Sequence, residues 1–165
     1  MEFKPATSAD SKELSEYLHP IWHEVFDDIM LKGAEEAEYI FTTWTNPEAI
    51  AKSIDEDGYE YGFIEVDGKR AGLYSYHIQD DGRFYVNKLY LDSAFRGKGL
   101  GQAGLNIMKD IAIKNGCTEM YLNVYFYNEK AIKAYLRFGM NNYYRCLLNI
   151  GNGITRNDYV MSMKL

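Results

Sequence analysis

The chain has 165 residues, 47% hydrophobic and 25% charged, which excludes a disordered tail, a collagen-like fibre and a coiled coil and fits one domain over residues 1–165. No run approaches the roughly 18 apolar residues of a membrane span. The charge of −6 is uneven: residues 1–60 hold 15 Asp/Glu against 4 Lys/Arg, and the remainder 9 against 14, net −11 and +5. An acidic first third disfavours nucleic acid, whose binding rests on phosphate neutralisation, and suits a cationic partner. It reads equally as solvated helix faces.

In chain order, Met1-Glu2-Phe3-Lys4-Pro5 lacks the basic-then-apolar layout of a signal peptide. The only cysteines, Cys117 and Cys146, are too few for a disulfide scaffold, so the expected location is the cytoplasm. A short strand at Phe3–Thr7 precedes a helix capped by Ser8 or Asp10, with Leu14, Tyr17 and Leu18 on one face and Pro20 expected to end it. Ile21–Met30 and Glu35–Trp44 read as further helical pieces, and Asn46-Pro47 as a helix start. Tyr59–Val66, Arg70–Ile78 and Arg83–Leu91, joined by Asp67-Gly68 and Asp81-Gly82, read as an antiparallel meander. A helix with Gly101, Leu105, Met108, Ile111 and Ala112 on one face stops at Asn115-Gly116. Glu119–Tyr125 is a strand, Asn128–Phe138 a helix closed by Gly139, and Tyr143–Asn149 and Tyr159–Leu165 the closing strands. The fold class is α+β, one mixed, mostly antiparallel sheet with helices on both faces.

Four segments carry chemistry. Arg96-Gly97-Lys98-Gly99-Leu100-Gly101-Gln102 lies between a strand and a helix, where glycine lets backbone N–H groups converge and the helix start adds partial positive charge. With Arg96 and Lys98 it suits a phosphate or pyrophosphate. Gly99-x-Gly101-x-x-Gly104 formally matches the dinucleotide fingerprint, but an antiparallel meander precedes it and Glu119 stands at the wrong end of the next strand. No Gly-Lys-Ser/Thr makes it a P-loop. The second segment runs from Tyr121 to Met140; its residues Asn128, Ile132 and Tyr135 share one helix face. Taken alone, Asn128 reads as a cap and Tyr135 as a core aromatic.

Together these two segments resemble the GNAT superfamily of acyl-CoA-dependent N-acetyltransferases. The cofactor motif is matched by Arg96-x-x-Gly99-x-Gly101 after the strand Lys88-Leu89-Tyr90-Leu91. The second motif is matched by Leu122-x-Val124-x-x-x-Asn128-x-x-Ala131-Ile132-x-x-Tyr135-x-x-x-Gly139-Met140. The resemblance implies acetyl-CoA as co-substrate, its pyrophosphate held by Arg96, Gly97, Lys98, Gly99, Leu100, Gly101 and Gln102. The segment Leu89-Tyr90-Leu91 would bind the pantetheine arm and the acetyl carbonyl, Asn128 would touch the cofactor, and Tyr135 would donate to the departing thiolate. Many relatives carry a glutamate base where this chain has Asn87, which takes no proton at neutral pH; His77 on the adjacent strand, or water among the tyrosines, is the substitute.

In the third segment, Trp22-His23-Glu24-Val25-Phe26-Asp27-Asp28, aromatics and carboxylates suit a polycation. The resemblance places Trp22, His23 and Phe26 by the acceptor amine, with His77 and Asn123. Trp22 and Phe26, four apart, read equally as a hydrophobic face. The layout is similar to bacterial diamine and spermidine N-acetyltransferases. The fourth, His19-x-x-x-His23, has metal-ligand spacing, but Pro20 is expected to break the helix between them, and no metal is expected. The expected activity is acetyl transfer to a small primary amine, a polyamine in particular. A peptide or protein N-acetyltransferase and a non-catalytic acyl-CoA-binding module are the alternatives. The closing strands leave an edge on which a second copy could pair as a homodimer.

Overall fold

The computed structural model describes all residues from Met1 to Leu165. In chain order the elements are β1 (Glu2–Pro5), α1 (Ser11–Phe26), α2 (Gly33–Trp44), α3 (Pro47–Asp55), β2 (Tyr59–Val66), β3 (Lys69–Ile78), β4 (Arg83–Leu91), α4 (Leu100–Lys114), β5 (Glu119–Tyr125), α5 (Glu129–Phe138), β6 (Asn142–Gly151) and β7 (Ile154–Lys164). The strands form one seven-stranded sheet in the order β1-β2-β3-β4-β5-β7-β6. Every pairing is antiparallel except β4 with β5. The α+β layout and the meander β2-β3-β4 are as the sequence implied. Asp67 and Gly68 both take positive φ, the left-handed geometry that a tight two-residue hairpin requires.

The two faces of the sheet carry separate apolar cores. On one, Leu14, Leu18, Ile21, Trp22 and Phe26 of α1, Ile40 and Phe41 of α2 and Ile50 of α3 pack against Tyr61, Phe63, Leu73 and Tyr125. On the other, Leu105, Met108 and Ala112 of α4 pack against Phe84, Val86, Met120, Leu122 and Val124, with Ile132 and Tyr135 of α5 at the margin. No helix is long and apolar enough to cross a membrane.

Two sequence expectations are corrected. α1 does not end before Pro20 but runs through it to Phe26. Proline withholds the N–H that would have bonded the Glu16 carbonyl, yet both residues are exposed, where solvent can satisfy that carbonyl. Burial of Leu18, Ile21, Trp22 and Phe26 on the opposite face holds the helix together across the defect. β7 begins at Ile154 rather than Tyr159, and the turn is Asn152-Gly153, again at positive φ. The inward positions of that early stretch include Arg156 and Asp158, so no apolar alternation announced a strand.

Candidate active site

The parallel pair β4–β5 is short. It runs from Arg83 opposite Glu119 to Val86 opposite Leu122, although β4 continues to Leu91 and β5 to Tyr125. The reason lies across β4, where Ser75 of β3 opposes Lys88 while Tyr76 opposes Val86, leaving Asn87 as the extra residue of a β-bulge. The bulge bends β4 away from β5. Beyond it the β4 edge from Asn87 to Leu91 has no strand partner, and a wedge-shaped gap opens between the strands.

Side chains alternate along that edge. Leu89 and Leu91 turn to the α4 face, where Leu89 lies so close to Gly104 that a Cβ there would sit 3.0 Å from its Cδ1. Tyr90 turns to the opposite face, towards Trp22, with ring centroids 6.2 Å apart. Below the edge, Gly97 and Gly99 take positive φ, and a Cβ placed on Gly97, Gly99 or Gly101 would meet nothing within 4 Å. None of the consecutive amides from Gly97 to Gln102 donates to a backbone carbonyl. The loop therefore presents an open row of N–H donors at the start of α4, the geometry that receives an anion.

Both cations of the loop are already engaged. Arg96 donates from Nε to the Leu91 carbonyl at 2.9 Å and pairs through Nη2 with Glu24 of α1 at 3.0 Å; Lys98 donates to the Ala94 carbonyl at 2.9 Å. Gln102 donates from Nε2 to the Ala134 carbonyl at 3.0 Å, tying α4 to α5. Asn128 caps α5, its Oδ1 accepting from the Ala131 amide at 3.3 Å. Tyr135 follows on α5, and burial alone pushes its hydroxyl up to about 12. It lies near enough to Tyr90 to add to the burial that raises the Tyr90 phenol.

On the α1–α3 face the gap leads into a cavity of about 420 Å³. Trp22, the C-terminal end of α2 at Thr43-Trp44-Thr45, Lys52, Asp57, Tyr59, Tyr61, Tyr85, Asn87, Lys88, Tyr90, Asn123, Leu148, Arg156 and Asp158 are among its lining residues. Asn87 is fixed at the bulge, donating from Nδ2 to Ser75 Oγ at 3.1 Å and Tyr61 Oη at 3.3 Å. Arg156 donates from Nε to Asp158 at 2.7 Å, and the two are only 8% and 1% exposed. Burial raises the Asp158 carboxyl despite the opposing pull of Arg156 and a hydrogen bond from Asn123. Burial likewise raises the phenols of Tyr59, Tyr85 and Tyr90, which stay neutral near pH 7.

Of the residues expected at an acceptor, Trp22 and Asn123 line this cavity and His23, Phe26 and His77 do not. Phe26 lies one helical turn beyond Trp22, in the core against Tyr125. His23 faces α2, between Asp27 and Glu38. His77 stacks on Tyr59 at 4.7 Å, one pleat further along β3 than Ser75, in a separate acidic depression with Asp80 and Asp81. Of the acidic residues in 1–60, only Asp57 lines the cavity. Sequence reasoning missed Glu24, Arg156 and Asp158; the alternation Arg156-x-Asp158 was the available signal for the pair.

That pair is not explained by stability. Removing one partner strands a buried charge, so Asp158→Asn should cost about 3–5 kcal/mol in chemical denaturation, whereas joint replacement by Met and Leu should be neutral or stabilising. A single variant as stable as wild type would show that the cavity solvates Arg156 without its partner.

The chain matches the sequence profile of the acetyltransferase (GNAT) family over residues 16–140. It is 27% identical over 133 residues to an uncharacterized N-acetyltransferase of Bacillus subtilis, covering 70% of this chain and 83% of that protein. It is 32% identical over 71 residues to the spermine/spermidine N(1)-acetyltransferase of the same organism, covering 41% of this chain and 47% of that protein. The fold is similar to that of the PaiA N-acetyltransferase from Thermoplasma acidophilum, solved in complex with coenzyme A, with a TM-score of 0.76, 18% identity, and coverage of 99% of this chain and 98% of that one.

Proposed function

The chain belongs to the GNAT acetyltransferase family, and from that premise we propose that it moves the acetyl group of acetyl-CoA to a small primary amine seated in the β4–β5 cavity. The observation that carries this is the continuity of two half-sites. The free amides of Gly97–Gln102 receive a pyrophosphate on one side of the gap. The aromatic cavity receives an amine on the other, and the unpaired β4 edge runs between them. Acetyl-CoA supplies the activated acyl carbonyl. Backbone N–H groups of Leu89 and Leu91, the alternate positions that face away from β3, stabilise the charge that grows on its oxygen, fixed in place before the reaction begins. The cavity's modest volume of about 420 Å³ favours a small amine over a peptide, and Tyr135 beside Tyr90 favours an enzyme over a binding module.

Tyr135 is the proposed donor to the thiolate. With its hydroxyl at about 12 against a reference thiol near 8.5, full proton transfer is uphill by roughly 5 kcal/mol. The role is a hydrogen bond to the leaving sulfur. Asn87 is spent on Ser75 and Tyr61, so the amine's proton goes to Asp158 or to the tyrosine-lined water path beside it.

Two acceptor classes fit. A polyamine is supported by Asp57 in the lining, by cation–π capacity in the aromatic wall and by the likeness to a spermine/spermidine acetyltransferase. An amine that also carries a carboxylate is supported by Lys52, Lys88 and Arg156 in the lining. The unpaired outer edge of β6, with Tyr143, Tyr144 and Leu147 exposed, supports pairing with a second copy.

A panel of spermidine, a diamine, lysine and a neutral-chain amine, read by CoA release, tests the acceptor. Spermidine turning over best, with a KM that rises with salt, supports the polyamine; lysine turning over best selects the second class; no turnover with any amine overturns the transferase reading in favour of a binding module.

Gly99→Val places a branched residue at φ +75° and should abolish acetyl-CoA binding. Arg96→Ala should weaken it by about 1.5–3 kcal/mol, the share of a charge-assisted hydrogen bond. Unchanged calorimetric affinity in a folded Gly99→Val protein would remove the pyrophosphate assignment.

Tyr135→Phe keeps the ring and deletes the donor. Where chemistry limits the rate, kcat should fall by roughly 10²–10⁴-fold with little change in acetyl-CoA affinity. Because burial raises this hydroxyl, it stays protonated, and the wild-type rate should show no alkaline loss from Tyr135 up to about pH 10. A rate within about threefold of wild type, far below that range, returns Tyr135 to the core.

A further inference from the structure

α1 runs through Pro20, and its continuity creates an arrangement on the outer side of the helix layer. His19 and His23 stand one turn apart with ring centroids 4.6 Å from each other. Glu38 of α2 reaches both: its Oε2 lies 2.8 Å from His19 Nε2 and 2.7 Å from His23 Nε2. The three side chains offer ligand atoms that all lie within 4.8 Å of one another. A second carboxylate, Asp27, places Oδ1 2.6 Å from the other ring nitrogen of His23.

We propose that His19, His23 and Glu38 bind a divalent transition-metal ion of the zinc class, with Asp27 orienting His23 and the ion clasping α1 to α2. The donor set is two imidazole nitrogens and one carboxylate oxygen, which suits zinc and its neighbours and not magnesium or calcium, whose ligands are oxygens. A ligating histidine whose free N–H is held by a carboxylate is the usual support of such sites, and Asp27 stands in that relation to His23. Tetrahedral bonds of about 2.0–2.2 Å set the ligand atoms about 3.3 Å apart, so Glu38 must withdraw by roughly half an ångström and the two imidazole nitrogens, up to 4.8 Å apart, must close by about 1.5 Å through rotation of the exposed His19. His19 and Glu38, with side chains 46% and 47% exposed, have room to do so, and the fourth position opens to solvent.

The clasp has a place in the cavity's architecture. Trp22, beside His23, donates from Nε1 to the carbonyl of Ala37, beside Glu38, at 2.8 Å. The ion would fasten the same two turns one step further out, stiffening the wall that carries Trp22.

The test uses the whole chain, stripped with a chelator and titrated with zinc by calorimetry, with thermal unfolding read in parallel. Wild type should bind one ion per chain and unfold at a higher temperature with zinc, while magnesium at the same concentration leaves unfolding unchanged. His19→Ala and Glu38→Gln should lose zinc affinity at least tenfold, and Asp27→Asn about 10–100-fold. Cobalt offers a readout independent of folding and activity, since its visible bands should appear with wild type and vanish with His19→Ala. Absence of binding by wild type, equal stabilisation by magnesium, or undiminished zinc affinity in His19→Ala and Glu38→Gln would each overturn the site.

Discussion

Everything in this site follows from one extra residue in a strand. Asn87 has no partner on β3, and the bend it imposes ends the parallel ladder at Val86–Leu122. A regular β4 would have paired along the length of β5 and closed the sheet, leaving neither a gap nor free backbone groups. A bulge weakens a sheet locally, and here the surrounding hydrogen bonds hold it in place. Asn87 donates to Ser75, which is fully buried, and to Tyr61, which is nearly so. The residue that cannot serve as a base is the one that makes the opening.

The second constraint is the buried ion pair. Arg156 and Asp158 stand two apart on β7, the spacing that puts both side chains on the cavity face. Desolvation outweighs their attraction at Asp158, whose carboxyl is raised rather than lowered. An apolar pair would fold at least as well. The pair is better accounted for by what it offers a ligand, a fixed dipole in the lining of a cavity of mixed aromatic and polar walls. Four of the chain's 15 tyrosines, Tyr59, Tyr61, Tyr85 and Tyr90, form walls that are apolar in body and polar at the tip.

What was legible from the sequence was whatever rests on local chemistry. Asp67-Gly68, Asn46-Pro47 and Gly139 mark turns and caps because their backbone preferences are intrinsic, and the glycine loop at 97–101 is legible for the same reason. What was not legible depends on tertiary compensation. Pro20 should break a helix, and the burial of its neighbours overrides it. Arg156 and Asp158 should not lie inside, and they do so because each is the other's partner. The resemblance sets the acceptor against the early helices, and so against Trp22, His23 and Phe26 together. On a helix, however, a neighbour one position away points about 100° elsewhere, and His77 missed the cavity by a single pleat.

That rotation gives α1 its part in the design. Trp22, His23 and Glu24 are consecutive and serve three different neighbours. Trp22 forms the wall of the cavity, His23 meets Glu38 on α2, and Glu24 crosses to Arg96 on the loop below the β4 edge. One turn of helix thereby touches the cavity, the outer helix layer and the glycine loop. The Glu24–Arg96 pair is exposed and adds little to stability, but it sets where the guanidinium stands before an anion arrives, and it competes with that anion for the same charge. On the proposed reading, an anion reaching the loop meets a guanidinium already paired with α1, and draws it from Glu24 or shares it.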